Sequence, residues 1–311
     1  MNFLAVTLRS LWRNRIGAIS LIVVLLYVGV AVSVEIYAGI CRYRGIEPVY
    51  CAAHESERFS PPSAKYWLGT DYRGRSVLAR AVAGCAGAVK VGAVAAGIAM
   101  IIGVTLGAVA GYFGGKCDEF VVWMYSTFAS MPSLLFILAF ALLVGRNYLP
   151  PAALEAVRRC GKALQVEPGV LAVYVAIGLT SWITVCRVVR GETMKLRKRG
   201  FVAAAQIAGV PAWTIIRRHI VPNVFHLVII YFTLTFAGAV MMEVIVSYLG
   251  FGAQSFPSWG LMISDGQERL WRGVWWELTG ATAFMFVLVL ALNLLGDALR
   301  DALDPKLRIR E

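Results

Sequence analysis

Six apolar runs decide most of what this chain can become. They cover roughly Ile16–Tyr37, Ala81–Tyr112, Phe120–Val144, Val170–Val189, Val224–Leu249 and Leu278–Leu295. A helix needs about 20 apolar residues to cross a bilayer, and inside hydrocarbon each backbone amide must be satisfied within the protein. The runs therefore predict an all-α membrane protein built as a six-helix transmembrane bundle. Composition agrees, because 59% of the 311 residues are hydrophobic and 15% charged, whereas soluble domains are about a quarter charged. The net charge of +12 then belongs to loops beside anionic lipid, and no nucleic-acid partner is expected.

The second run is too long for one simple span and carries Gly84, Gly87, Gly92, Gly97, Gly103, Gly107 and Gly111. Small residues at such intervals let helices approach closely, which describes a packed bundle rather than a lone anchor. Pro132, in "SMPSLL", predicts a kink in the third run that shapes a pathway or merely packs. Glu243 lies inside the fifth run. A carboxylate costs so much in lipid that it is a functional candidate, although a structural interhelical hydrogen bond is the other reading. Glu35 and Lys90 lie nearer span ends and are expected to snorkel.

Arg9, Arg13 and Arg15 precede the first run, and Arg190, Lys195, Arg197, Lys198 and Arg199 follow the fourth. Basic clusters favour the cytoplasmic side. Six spans then place both termini in the cytoplasm, with the first run retained because it lacks a small-residue cleavage site. Polar connections fall at Gly39–Arg80, at Arg146–Pro168 (with a short amphipathic helix at Ala152–Leu164) and at Gly250–Arg272. Residues 1–80 read as an N-terminal segment, first span and external loop. Residues 81–305 read as the core unit, with a loop at 190–223, and 306–311 as a cytoplasmic tail. Cys41 and Cys51 share the first outer loop; they can bridge on an oxidising face or remain small hydrophobes. No C-x-x-C pair occurs, so no metal or redox site is expected.

The segment "FVAAAQIAGVPAWTIIRRHIVPN", residues 201–223, interrupts the apolar pattern. Phe201, Ala204, Ala205 and Ala208 recur at helical spacing and make a small apolar face. Gly209 suits the position past a helix end, Pro211 the first turn of a second helix, and Pro222 a stop. Arg217, Arg218 and the preceding basic cluster form a charged rim. An alanine face buries little area in lipid, so docking to a soluble partner is favoured over an interfacial helix lying on the bilayer.

The chain lacks the machinery of catalysis. "GGKC" and "CGKA" miss the upstream Gly and the Ser/Thr of a phosphate-binding loop. Three His occur, without H-E-x-x-H or G-x-S-x-G. A non-enzymatic chain without its own cofactor or catalytic residues is expected.

Segment 201–223 resembles the cytoplasmic loop of permease subunits of ABC importers. That motif reads Glu-Ala-Ala, three residues, Gly, and a Pro thirteen residues later. Ala204, Ala205, Gly209 and Pro222 match it, Ala203 stands where the family has Glu, and Gln206 where Arg is common. "LGTDYRGRSVLAR" (Leu68–Arg80), "GVTLGAVAGYFGG" with Asp118–Glu119, "PSWG" (Pro257–Gly260) and "NLLGDALRDALDP" (Asn293–Pro305) resemble, in order, the C-type subunit of oligopeptide and dipeptide permeases. The resemblance implies the type I ABC importer permease fold with a cytoplasmic coupling helix. It assigns ATPase contact to Ala203, Ala204, Ala205, Gly209, Arg217, Arg218 and Pro222, and makes Glu243 and Pro132 candidates for the translocation pathway. It implies a heterodimer with a second permease, two ATP-binding subunits that hold ATP and Mg, an extracytoplasmic substrate-binding protein, and a place among the lipids of a bacterial inner membrane. A nickel or other small-solute importer is the alternative within that architecture. An ATP-independent channel or membrane scaffold is the alternative from another class.

Overall fold

The computed structural model describes residues 11–148, 150–252 and 256–303. Helices dominate them: α1 Arg15–Arg44, α2 Val77–Phe113, α3 Gly115–Ala129, α4 Ser133–Gly145, α5 Pro151–Leu164 and α6 Pro168–Arg197. Then follow α7 Gly200–Ile207, α8 Ala212–Ile215, a π turn at Ile216–Ile220, α9 Val221–Tyr248, α10 Trp259–Leu270 and α11 Trp276–Leu303. Five helical stretches are long and apolar enough to cross a membrane, and six if α3 and α4 form one broken span.

All six apolar runs recur as helix, with instructive differences. The second is one unbroken helix of 37 residues, about 55 Å long at 1.5 Å per residue. Its ends must therefore stand outside a hydrocarbon layer of about 30 Å. The third is two helices bent by 85°, far sharper than a kink. Pro132 adopts an extended ψ of 115° at the break, because its ring cannot continue a helix and restricts the residue before it. Helix α1 runs past Tyr37 to Arg44 and carries Cys41; all six cysteines are free thiols. The basic residues Arg190, Lys195 and Arg197 lie in the last turns of α6, not in a loop. The expected amphipathic helix is α5. The connection read as polar at Gly250–Arg272 contains α10, whose buried Trp259, Met262 and Gly266 repeat at helical spacing.

Helices α2 and α6 form the central pair and run parallel. A Cβ on Gly103 would stand 2.7 Å from that of Val185, on Gly107 2.7 Å from the Cys186 carbonyl, and on Gly111 2.7 Å from the Arg190 carbonyl. Gly178 answers from α6, facing Ala95 and Ile98. Numbers rise together on both helices, and the four-residue glycine interval gives the close backbone approach of membrane helix pairs. Helices α9, α10, α11 and α1 pack around this pair in one apolar cluster. At one end of the bundle, which we term the hook end, Gly17 of α1 meets Ala298 of α11 and the α7–α8 segment projects. At the opposite cap end lie the 45–76 connection, α5 and α10.

Candidate functional site

The hook is built by burying one side of a short helix and leaving the other bare. Val202 is fully buried and Ala205 half-buried against Ile215, Ile216 and Ile220. Phe201, Ala203, Ala204 and Ala208 are exposed, and Ile207 at the tip is 89% exposed. The small face therefore splits: Ala205 packs inward while Phe201, Ala204 and Ala208 look out. Sequence reasoning missed Ile207 and Val202, although their five-residue separation puts them on opposite sides of a helix. Gly209 turns the chain with φ +75°, a conformation that suits glycine. The amide of Val210 closes the turn on the Ala205 carbonyl at 3.1 Å.

Two connections make the hook stiff. The Gln206 amide donates to the Tyr112 hydroxyl at 3.2 Å, tying α7 to the end of α2. The next aromatic, Phe113, meets exposed Trp213 edge-on at 6.1 Å. Pro211 flanks α8 with an extended ψ of 143° instead of entering its first turn. Pro222 does not stop the second helix. Helix α8 passes through the π turn, where the Val221 amide reaches the Ile216 carbonyl, and continues into α9 with Pro222 in its first turn. Proline lacks an N–H and crowds the carbonyl four residues back; one widened turn relieves that crowding without ending the helix. Arg217 and Arg218 project from this turn, both exposed. Arg190 of α6 holds Asp118 of α3 with two hydrogen bonds, the Nη2–Oδ2 one at 2.6 Å.

The two residues singled out inside spans are not brought together. Pro132 itself is not on the wall of the space beside it; its neighbours Met131 and Ser133 border that small space of about 180 Å³ with Phe128, Phe136 and Thr180. Glu243 lies elsewhere, on a cavity of about 290 Å³ bounded by α1, α2, α6, α9 and residues 256–259. Its Oε1 accepts from the hydroxyls of Ser247 at 2.6 Å and Ser258 at 3.0 Å. Glu35 and Lys90 do not snorkel separately; they pair at 2.8 Å on the wall of that cavity. Among the described residues no three His, Cys, Asp or Glu side chains converge to hold a metal.

A bundle of five or six spans that carries such a hook has an established counterpart in sequence. Residues 103–309 match the family described as binding-protein-dependent transport system inner membrane component. The chain belongs to that family. It is 35% identical to the Bacillus subtilis dipeptide transport system permease protein DppC over 81% of this chain and 72% of that one. Against the B. subtilis oligopeptide transport system permease protein OppC it is 30% identical over 96% of this chain and 91% of that one. The Escherichia coli K12 OppC shows 33% identity over 78% of this chain and 72% of its own. The chain is a multi-pass inner-membrane component of a transport system.

The family match begins within α2, yet the quoted "LGTDYRGRSVLAR" stretch ahead of it has a defined task. Asp71 is fully buried and accepts from Arg75 Nε and Arg80 Nη1, both at 2.7 Å, and from the Arg73 and Arg75 amides. Arg80 reaches on to Glu277 of α11 at 3.3 Å, and Arg269 of α10 holds the other oxygen of Glu277 at 3.0 Å. The Trp276 indole donates to the Thr70 carbonyl at 3.0 Å. This network locks the cap loop onto α2, α10 and α11.

Proposed function

We propose that this chain is one of two permease subunits of an ATP-driven importer of dipeptides or oligopeptides. The observation that carries the proposal is the hook. An exposed apolar tip on a stiff base is a docking element for another protein, because exposed apolar groups of this kind gain free energy when a partner covers them. The relatives, dipeptide and oligopeptide transport system permeases, supply the cargo class. The hook end faces the cytoplasm in this reading, with both termini on that side. Residues 81–305 form the core permease unit, including the coupling segment 190–223. Residues 1–80 add the first span and the outer cap, and 306–311 a tail.

Two ATP-binding subunits, which hold ATP and Mg, dock on this hook and on its counterpart in the second permease. The contact is made by Ala203, Ala204, Gly209 and the rim of Arg217 and Arg218, with Ala205 and Pro222 shaping it from behind. An extracytoplasmic binding protein delivers the peptide at the cap end. Movement of the hook passes to α2 through Gln206–Tyr112, and to α9 through the continuous π turn. The break at Pro132 and the buried Glu243 are the pathway candidates of this reading.

The test is peptide uptake by proteoliposomes that contain both permeases and both ATPases, with the binding protein outside. Uptake is expected to need ATP on the hook side. Gly209→Val is expected to reduce ATPase association and uptake together. A left-handed backbone costs a β-branched residue on the order of 1–2 kcal/mol, whereas a Cβ at Gly209 meets nothing within 4 Å, so helix packing stays intact. ATP-independent uptake, or full coupling in Gly209→Val, would overturn the proposal.

A further inference from the structure

The cavity around Glu243 belongs to neither the hook nor the break at Pro132. It lies inside one subunit, and its volume of about 290 Å³ is at the small end of ligand pockets, which run from about 300 to 1,000 Å³. Charge on its wall is unbalanced. Three acids, Glu35, Glu167 and Glu243, face the space with two cations, of which Lys90 pairs with Glu35 at 2.8 Å and Arg42 holds the neutral Gln165 side chain. Glu243, only 6% exposed, has two hydroxyls on Oε1, and among the described residues no cation pairs with it. A carboxylate held by neutral donors away from water is stabilised by any cationic guest that reaches it.

The rest of the wall suits such a guest. The rings of Tyr50, Tyr174, Phe256 and Trp259 line the same space, and aromatic faces attract ammonium groups. Gly87, in the interior of α2, borders the cavity, and a Cβ there would meet nothing within 4 Å. Glycine inside a helix costs roughly 0.5–1 kcal/mol relative to alanine. No close helix contact accounts for it here, unlike Gly103 or Gly107. What its missing side chain maintains is open volume beside the carboxylate.

We infer that this cavity binds a small protonated amine, with its nitrogen at Glu243 and its body among the aromatic rings. The amine is either the amino terminus of a short peptide or a small free ammonium compound. The inference does not rest on the transport reading, since it concerns a binding equilibrium.

Calorimetric titration of the transporter, purified with its partner subunits but without the binding protein, tests it. The probes are glycylglycinamide, its N-acetylated neutral form, and methylammonium. At least one free amine is expected to bind, and the acetylated probe at least about tenfold more weakly, the loss expected when a charge-assisted contact is removed. Glu243→Gln and Gly87→Leu are each expected to weaken amine binding by about tenfold or more. Gly97→Leu, at another open glycine of α2, retains it. Tighter binding of glycylglycinamide than of methylammonium identifies a peptide amino terminus; equal or weaker binding identifies a small free amine. Equal binding of the acetylated probe, an unchanged Glu243→Gln, or no binding of either amine overturns the proposal. If Glu243→Gln does not assemble, Gly87→Leu decides: it fills the space and leaves the carboxylate, so wild-type binding by that variant sinks the idea.

Discussion

At the cap end, Asp71 and Glu277 are fully buried and each lies against two arginines. At the hook end, Ile207 stands almost wholly in solvent and Val202, five residues before it, is sealed in the core. Both regions carry residues that match the same permease pattern, yet they serve it in opposite ways. Buried ions need partners, because desolvation costs several kcal/mol per ion and each lost contact leaves that cost less well repaid. The cap is therefore sensitive to single changes, and its one unused donor, the Arg80 Nε, is buried where a partner protein does not reach it. The hook has one side fully used and the other unused, so changes on its outer side leave the fold almost untouched. Burial and charge pairing thus separate residues that hold the scaffold from residues whose removal the fold would tolerate.

The largest expected effect breaks the cap. Arg80→Met leaves Asp71 with Arg75 and Glu277 with Arg269 but strips a charged hydrogen bond from each buried acid, and is expected to cost about 1.5–3 kcal/mol. It would be seen as a lower unfolding temperature and loss of folded protein in detergent. An unfolding temperature equal to wild type would mean that the network is not needed. A smaller effect is expected at the hook. Ile207→Asp should leave stability within about 0.5 kcal/mol, as an exposed substitution does. It should weaken binding of the cognate ATPase subunit by more than about tenfold, the scale of a lost interface anchor. Titration of labelled ATPase onto the permease pair measures this. Unchanged binding would place the docking surface elsewhere and erase the contrast between the two ends.

How much of this was readable in the sequence follows from range. The spans were legible because hydropathy is a local property summed over some twenty residues. Segment 201–223 was legible as helix, glycine turn and helix for the same reason. The fate of Pro222 was not: a proline after a short helical stretch reads as a stop, and only the π turn between α8 and α9 carries the helix through it. Pro132 shows the reverse, since the expected kink is a break. Helix α10 escaped notice because it is short and its apolar residues are interleaved with as many polar ones, so no apolar run marks it. Long-range pairs were the least visible. Nothing near Arg80 announces Glu277, 197 positions away, and nothing near Glu35 announces Lys90 as its partner. Such pairs depend on which helices become neighbours, which in turn depends on glycine contacts such as Gly107 on Cys186.

The finest expected effect asks where the cap network ends. Asp265, on α10, is partly exposed and lies 3.8 Å from Arg269, farther than the other acids lie from their arginines. Burial pushes its carboxyl above the usual range, more than the nearby arginines lower it. An acid raised in the folded state contributes stability below its unfolded pKa of about 3.9 and loses it as pH rises through the folded value. Asp265→Asn, neutral throughout, should therefore match wild type near pH 4 and become the more stable form as pH increases toward 8. The measurement is the difference in unfolding temperature between the two proteins across that range. The opposite sign, with the variant less stable at neutral pH, would show that the Arg269 contact outweighs burial. Asp265 would then belong to the locked network, and the cap would require every one of its charges.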